Sequence, residues 1–269
     1  MPAGIRIVSL VPSLTELLCD LGLREQLVGR TGFCIHPREA LRDVPKVGGT
    51  KDVRIERVRA LAPTHLVVNV DENDRAAVEQ LTGFVPNVVV THPLNVDDNL
   101  ALLERFGETF GVREAAGAIA ERMRAAREAV RARRFAALPV TYLVWKDPWM
   151  SIGRDTFIAS MLAEAGLVST IAASEPRYPV LSLEAIAGDG ARAVLLSSEP
   201  YRFVAAHSAA LHEALIRVGA RPAPLCTTID GEMASWYGSR PVEGLRYLLG
   251  FRENLERALD AAAAGGGQR

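Results

Sequence analysis

The chain has 269 residues, of which 49% are hydrophobic and 23% are charged. This composition is typical of an ordered globular protein and excludes disorder over the whole chain. The formal net charge is −1, and the sequence contains neither zinc-finger spacing nor a basic stripe with interleaved aromatics. A nucleic acid is therefore not expected as a partner.

The three cysteines, Cys19, Cys34 and Cys226, are odd in number and widely spaced. This argues against a disulfide framework and favours a reducing compartment. Residues 1–6 run directly into a strand-like segment without a signal-type apolar region or a lipobox cysteine, and no apolar stretch is long enough for a membrane helix. From these features we predict a cytoplasmic location for the sequence as given.

Short β-branched runs alternate with helical patterns in the first half of the chain. Strands are predicted at 6–10, 65–70 and 87–90, and a helix over 14–21. Strands that alternate with helices are typical of parallel βαβ units. We therefore expect a first α/β lobe over residues 1–110.

A long helix is predicted near 112–136, within a linker that we place at 111–138. Its apolar residues recur at intervals of three and four, which indicates one buried stripe: Val112, Ala116, Ile119, Met123, Ala126 and Val130. At 1.5 Å per residue this helix is about 35 Å long, enough to join two small lobes. The arginines on its other side are predicted to form a solvated face.

The βα alternation restarts after Pro139 and predicts a second lobe over 139–260. Strands are expected at 140–145 and 193–197, and helices near 156–165, 205–218 and 241–259. Residues 261–269, rich in alanine and glycine, are predicted to form a disordered tail.

The two halves also resemble each other. The pattern of residues 55–58 followed by 66–72 parallels that of 183–186 followed by 194–199, at a nearly constant offset. Two copies of one βα design would place a cleft at the carboxyl ends of their parallel strands. The sequence thus predicts an α/β protein with two Rossmann-like lobes, one long backbone helix and a ligand cleft between the lobes.

Five segments carry a resemblance to a known family: residues 7–16, 28–31, 47–50, 148–153 and 198–201. With these motifs the chain resembles the helical-backbone metal receptor superfamily, the class III periplasmic substrate-binding proteins, and is most similar to the cobalamin-binding branch. The resemblance implies a receptor for a corrinoid that serves an ABC importer, with ferric siderophore or haem as alternative ligands. It also implies a permease partner, which conflicts with the predicted cytoplasmic location.

Several residues are candidates for ligand contact. Ser13 and Glu16 have the spacing of a capping box, so the Ser13 hydroxyl is predicted to accept a backbone N–H. The same helix start is expected to face the cleft, where free N–H groups suit an anionic or amide group. We therefore keep ligand contact by Ser13 as the alternative.

His36 precedes Pro37 in the place where similar cobalamin binders have a cleft aromatic. Its imidazole is a candidate for corrin contact and for axial ligation of cobalt or iron, with an ordinary loop histidine as the alternative. Cys34 is predicted to be a packed thiol rather than a second ligand. His92 follows a predicted strand and is a further candidate.

The aromatic residues of the second half are candidates for a platform under a flat ligand, or for core. We favour Trp149 and Trp236 as the platform, with Tyr237 beside them. Arg240 is expected to pair with carboxylate, amide or phosphate groups of the ligand, because a guanidinium forks onto such acceptors.

Glu72 and Glu199 occupy matching positions in the two repeats. The resemblance implies that one glutamate per lobe docks against arginines of a transporter, whereas an ordinary surface carboxylate is the alternative.

No nucleophile elbow, HExxH pair, P-loop or dinucleotide fingerprint occurs in the sequence, so we expect a binding protein and not an enzyme. No cofactor is expected to be required, and a monomer is expected. The alternative is a cytoplasmic corrinoid- or metal-handling protein that is not coupled to transport.

Overall fold

The computed structural model describes residues 4–173 and 176–266. It divides into two compact units, the first built from residues up to 93, 97–122 and 237–240, and the second from 94–96, 123–236 and 241 onward. The predicted boundaries at 110 and 139 differ from this division. The segment 237–240 was expected in the second lobe, yet it packs into the first unit.

The first unit contains one parallel sheet of four strands. The strands are β1 Ile7–Ser9, β2 Leu27–Arg30, β3 His65–Asn69 and β4 Asn87–Thr91, in the spatial order β2-β1-β3-β4. The α-helices up to residue 110 are α1 Pro12–Asp20, α2 Ile55–Ala60, α3 Arg75–Thr82 and α4 Val96–Phe110. The register places Ile7 opposite His65, and His65 opposite Asn87.

The apolar runs of β1 and β3 explain why these strands lie at the centre of the sheet. Both faces of a parallel sheet are covered by helices, so its central strands are apolar at consecutive positions. Val8 and Leu66 pack in one cluster with Val58 of α2 and Leu81 of α3, whereas Val67, the neighbour of Leu66, is equally buried.

The second unit contains a sheet of six strands with mixed directions. The strands are β5 Leu138–Trp145, β6 Trp149–Ser151, β7 Leu167–Ser169, β8 Val180–Leu181, β9 Ala193–Ser197 and β10 Leu225–Ile229. The helices from residue 113 onward are α5 Arg113–Arg131, α6 Phe157–Glu164, α7 Leu183–Gly188, α8 Ala205–Arg217, α9 Gly231–Ser235 and α10 Pro241–Gly266.

Strands β7, β9 and β10 run parallel to their neighbours, as the βα alternation predicts. Strands β6 and β8 are antiparallel additions that the alternation does not predict. The reason lies in the turn after β5, where Asp147 adopts a φ of 60° and the chain reverses into β6. A short hairpin takes the place of a crossover helix here.

The long helix is shorter than predicted, since α5 ends at Arg131 and not near 136. Its predicted apolar stripe is buried from Ala116 to Val130. The last helix, α10, continues to Gly266, so residues 261–266 are helical where a disordered tail was predicted. Residues 267–269 lie outside the described residues. Among the described helices, none combines the length and the apolar composition needed to cross a membrane.

The arginines of α5 are not simply a solvated face. Arg127 and Arg131 both donate from Nε to the Glu164 carboxylate of α6, at 2.9 and 2.8 Å, and the Glu164 side chain is only 8% exposed. Burial alone would raise the pKa of Glu164, but the hydrogen bonds and charges of the two arginines lower it below its ordinary value.

Replacing Glu164 by Gln should therefore lower the free energy of unfolding by about 1–2 kcal/mol at neutral pH. A lowered folded-state pKa gives a contribution that is complete above the ordinary carboxyl pKa and is lost as the pH falls through the folded value. The difference in urea unfolding between E164Q and the unmodified protein should thus shrink as the pH falls below the ordinary carboxyl pKa of about 4.3. E213Q, which removes an exposed i,i+4 partner of Arg217, is the matched control and should change little. A loss of unfolding free energy in E164Q that is the same at neutral and at acidic pH would contradict this account.

Candidate functional site

The carboxyl ends of the four strands in the first unit bring several candidate residues to one edge. Because parallel strands all end at the same edge of a sheet, the segments that follow β1, β2, β3 and β4 meet there. These segments carry Ser13, His36, Glu72 and His92. The edge of the first sheet is therefore the first candidate surface.

Buried amides stabilise this edge. Asn73 donates from Nδ2 to the carbonyl oxygens of Leu10 and Thr50, both at 3.1 Å, and its Oδ1 accepts the Asn69 N–H at 2.8 Å. Asn69 in turn accepts the backbone N–H groups of Asp71 and Glu72 on its Oδ1. The side-chain oxygens of both amides and the Nδ2 of Asn73 thus have partners, which makes these loop ends a rigid support.

The loop after β2 alternates between exposed and buried side chains. Phe33 is 62% exposed and Ile35 51%, whereas Cys34 between them is fully buried. The Cys34 thiol contacts the hydroxyl groups of Thr15 and Thr31 at 3.1 Å, and burial raises its pKa. Cys34 is thus a packed thiol, as predicted, and it anchors a loop that presents two apolar side chains to solvent.

His36 is half-buried and lies near enough to Glu16 for the two side chains to interact electrostatically. His92 lies with Nε2 at 3.4 Å from the Asp71 carboxylate. Among the described residues, no group of three His, Cys, Asp or Glu side chains is placed to hold a metal ion. The axial role of His36 stays a prediction.

Tyr237 and Glu72 form a hydrogen-bonded pair within the first unit. The Tyr237 hydroxyl donates to Glu72 Oε1 and lies beside Ser13. Burial, with the Glu72 charge as a second cause, raises the pKa of Tyr237 well above its ordinary value. Tyr237 is thus a buried donor, and Glu72 already has an acceptor role inside its own unit.

The segment after Tyr237 is fastened to the first unit by polar contacts. Asn99 donates to the Gly238 carbonyl oxygen at 3.0 Å and accepts the Gly238 N–H at 2.6 Å, and Ser239 donates to Asp20. Gly238 has a φ of 89°, and a Cβ there would lie 3.1 Å from the Cβ of Leu17. Only glycine satisfies both the backbone conformation and the close approach at this position.

Arg240 forms a two-point ion pair with Glu16. Its Nε and Nη2 donate to the two carboxylate oxygens at 2.9 and 2.7 Å, and the side chains are 13% and 15% exposed. Burial raises the pKa of Glu16, and the Arg240 charge opposes this shift. The guanidinium that was expected to meet the ligand thus has a carboxylate partner in its own unit.

The capping-box prediction for Ser13 and Glu16 is wrong. Helix α1 has Val11 as its N-cap and begins at Pro12, so Ser13 lies inside the first turn. Proline is well suited to the first helical position, because its missing N–H would have no helical partner there. Glu16 turns to Arg240 instead of the helix start.

The second unit presents an aromatic cluster at the ends of β5 and β9. Trp145 is 40% exposed and packs edge-on against Tyr201, with 5.6 Å between ring centroids. Trp149 stacks on Phe203 at 6.1 Å with the rings 8° from parallel. Trp149 is therefore half-covered by its own unit, whereas Trp145 offers more surface.

Trp236 and Glu199 form the second aromatic–carboxylate pair. The Trp236 indole N–H donates to Glu199 Oε1 at 2.6 Å, and the Ser235 hydroxyl donates to the same oxygen at 3.1 Å. Burial raises the pKa of Glu199 against the opposing effect of these bonds. Trp236 is only 9% exposed, so little of its ring is available as a platform.

Phe33, Ile35 and the exposure of Trp145 were not predicted from the sequence. A signal for the first two was present, because an apolar residue on each side of Cys34 must point away from the core when the thiol points inward. The exposure of Trp145 depends on how Tyr201 and Phe203 pack, and a local pattern does not report that. Of the predicted residues, Ser13, His36, Glu72, Tyr237 and Arg240 come together in the first unit, and Trp149, Trp236 and Glu199 lie in the second.

A family model of periplasmic binding proteins matches residues 7–217. A vitamin B12-binding protein of Photorhabdus laumondii is 28% identical over 106 residues, which cover 39% of this chain and 38% of that relative's length.

Two solved structures match nearly the whole chain. The periplasmic vitamin B12 binding protein BtuF of Vibrio cholerae is 16% identical, with a TM-score of 0.76 over 93% of this chain and 97% of that one. A periplasmic heme binding protein from Pseudomonas aeruginosa is 25% identical, with a TM-score of 0.74 over 91% of each chain.

The Glu16–Arg240 pair generates a prediction for stability. R240Q leaves the Glu16 carboxylate half-buried without its two-point partner, so we expect a loss of about 2–3 kcal/mol in the free energy of unfolding. E16Q/R240Q should lose less than the sum of the two single variants, with a coupling of about 1 kcal/mol or more by urea unfolding.

The exposed i,i+3 pair of Glu243 and Arg246 on α10 is the matched control. Its double-mutant cycle should give a coupling of about 0.5 kcal/mol or less. Additive losses at Glu16 and Arg240 would mean that the observed contact does not stabilise the fold.

Proposed function

The chain belongs to the periplasmic binding protein family, and on that premise we propose that it is a receptor for a flat metal chelate of the tetrapyrrole class. A corrinoid is the first candidate ligand and haem the second. The observation that carries this proposal is the exposed aromatic at the strand ends of each unit, Phe33 in the first and Trp145 in the second. The named relative that binds vitamin B12 supports the choice of a corrinoid.

The Phe33 ring packs against its own unit on one side and is otherwise exposed to solvent. Its ring lies against Gly49, where an added Cβ would come within 3.3 Å of the ring. Cys34 holds the next position in the core, so the loop does not need to reorganise to present the ring. A preformed aromatic face binds at a lower entropic cost than one that must be ordered by the ligand.

Trp145 is similarly prearranged. Tyr201 packs edge-on against it and also contacts Phe203, so the indole is oriented by a cluster and not by solvent. A stacked aromatic contact contributes about 0.5–1.5 kcal/mol beyond the burial of its area. The macrocycle of a corrin or porphyrin supplies both a flat face and enough apolar area for such a contact.

His36 gives the first unit a candidate axial ligand. It lies one residue from the exposed Ile35, and neutral imidazole is a good ligand for cobalt and iron. In this role the histidine completes the coordination of a metal that the chelate already holds. Binding therefore requires no catalytic group from the chain, and we propose no chemical step.

Haem is the second candidate. The same imidazole suits iron, and a heme-binding protein matches the chain at 25% identity. A ferric siderophore, the third candidate, would use polar and cationic contacts more than aromatic faces. The aromatic faces of Phe33 and Trp145 thus favour a macrocycle over a siderophore.

A permease of an ABC importer is the partner that we propose with this ligand. Glu72 and Glu199 stay the predicted docking residues, although an incoming arginine would compete with Tyr237 for the one and with Trp236 for the other. The cytoplasmic location also stays a prediction, and it conflicts with this partner.

Titration with cyanocobalamin tests the corrinoid. We expect quenching of tryptophan fluorescence with a Kd of about 1 μM or lower. W145A and F33A should each weaken binding by about tenfold, which corresponds to about 1.4 kcal/mol. The controls I216A and V90A remove side chains that are 42% and 44% exposed elsewhere, and they should bind like the unmodified protein. If cyanocobalamin and hemin both fail to bind at tens of micromolar, the proposed ligand class is wrong.

His36 has a separate test, in which aquocobalamin and hemin are titrated and the visible absorption bands are followed. Imidazole ligation replaces a water on the metal, so we expect a band shift that H36A abolishes and H92A retains. Equal shifts in H36A and the unmodified protein would exclude the axial role and leave the aromatic contacts as the basis of binding.

A further inference from the structure

A depression of about 760 Å³ lies within the first unit, between the end of β2 and residue 46. It is lined by Arg30, Gly32, Cys34, Ile35, His36, Arg38, Glu39, Leu41, Arg42 and Lys46. Four of these are arginines or lysines, and Glu39 is the one carboxylate among them. The wall is thus strongly basic in a protein whose formal net charge is only −1.

Arg30 makes this pocket more than an exposed basic patch. Its side chain is buried, and its guanidinium donates to the carbonyl oxygens of Leu41, Thr31 and Cys34 at 2.9–3.2 Å. Within the part of the chain that the structure describes, no carboxylate forms an ion pair with it. Carbonyl oxygens satisfy its hydrogen bonds but leave its positive charge without a counter-charge.

A buried cation is normally paired, because the loss of hydration costs several kcal/mol unless an anion compensates for it. The three exposed cations in the same wall, Arg38, Arg42 and Lys46, form no ion pair among the described residues either. Four positive charges against one negative charge create a local field that attracts an anion. The electrostatics of the pocket are therefore incomplete within the described chain.

We propose that this pocket binds the phosphate group of a phosphate ester. Guanidinium and ammonium groups are the usual partners of phosphate, and a doubly charged oxyanion matches a wall with a net charge of about +3 better than a single carboxylate does. The volume far exceeds that of a lone oxyanion, since one water occupies about 30 Å³ of liquid. The phosphate therefore belongs to a larger organic molecule.

This site does not depend on the proposed receptor function. Ile35 and His36 border both the pocket and the exposed loop, so the phosphate group belongs either to the macrocyclic ligand itself or to a separate ester. Both sources present a phosphate oxyanion, with about two negative charges in a monoester and one in a phosphodiester, and a comparison of two corrinoids separates them. Cyanocobalamin carries a phosphodiester, whereas dicyanocobinamide carries none.

Isothermal titration with inorganic phosphate and with glycerol 3-phosphate, at constant ionic strength, tests the pocket directly. We expect saturable binding with a Kd on the order of 1 mM or tighter. R42Q/K46Q should weaken binding by about tenfold or more. E39Q removes the opposing carboxylate and should tighten binding, a change of sign that a damaged fold would not produce.

R217Q/R221Q is the matched control, because it removes two exposed positive charges from the second unit and leaves the pocket intact. It should bind phosphate like the unmodified protein, and circular dichroism should show all variants to be folded. Absence of saturable binding by both probes up to about 10 mM, or equal binding in R42Q/K46Q and E39Q, overturns the proposal.

Competition then identifies the source of the phosphate. If cyanocobalamin displaces glycerol 3-phosphate and dicyanocobinamide does not, the pocket receives the phosphodiester of the corrinoid. If neither corrinoid displaces it, the pocket is a separate site for a phosphate ester. Phosphate binding without any binding of corrinoids or hemin would refute the proposed receptor function and leave this inference intact.

Discussion

In each unit, the turn that follows one inner strand of the sheet is stabilised by a side-chain oxygen on the last residue of that strand. In the first unit, Asn69 at the end of β3 accepts the N–H groups of Asp71 and Glu72. In the second, Ser197 at the end of β9 accepts the Glu199 N–H at 3.3 Å and the Tyr142 hydroxyl at 2.9 Å. Asn and Ser both form such local turns, because their short polar side chains reach a backbone N–H two residues ahead.

This turn fixes a glutamate in each repeat. The two glutamates accept hydrogen bonds from Trp236 and Tyr237, which are neighbours in the sequence. Glu199 accepts from Trp236 within the second unit, and Glu72 accepts from Tyr237 within the first. An indole or phenol that has a carboxylate acceptor can be buried at little cost, because its polar group stays paired. The pairing therefore allows Trp236 and Tyr237 to be buried, whereas Trp145 and Phe33 stay exposed.

The sequence predicted the elements that have a strong local pattern and missed the contacts that join distant segments. The central strands, the buried stripe of α5 and the packed Cys34 follow from apolar spacing, which reports the side of an element that is buried. Arg240 lies 224 residues from Glu16, and nothing in its local sequence indicates a carboxylate partner. The same holds for Ser13, whose spacing to Glu16 suggests a cap although Pro12 already begins the helix. Spacing identifies a polar residue, but only the fold decides whether its partner is the backbone, a ligand or another side chain.

The internal pairing of charges also limits what each surface can recognise. At the first strand edge, Arg240 is neutralised by Glu16 and Glu72 is engaged by Tyr237, so the surface that stays available there is the apolar loop of Phe33 and Ile35. The neighbouring pocket has the opposite character, because Arg30 is held by carbonyl oxygens and carries its charge uncompensated. Ile35 and His36 belong to both. A molecule with a flat apolar face, a metal open to imidazole and one anionic arm would satisfy all three features, whereas a ligand that lacks the arm would leave the buried charge of Arg30 unpaired.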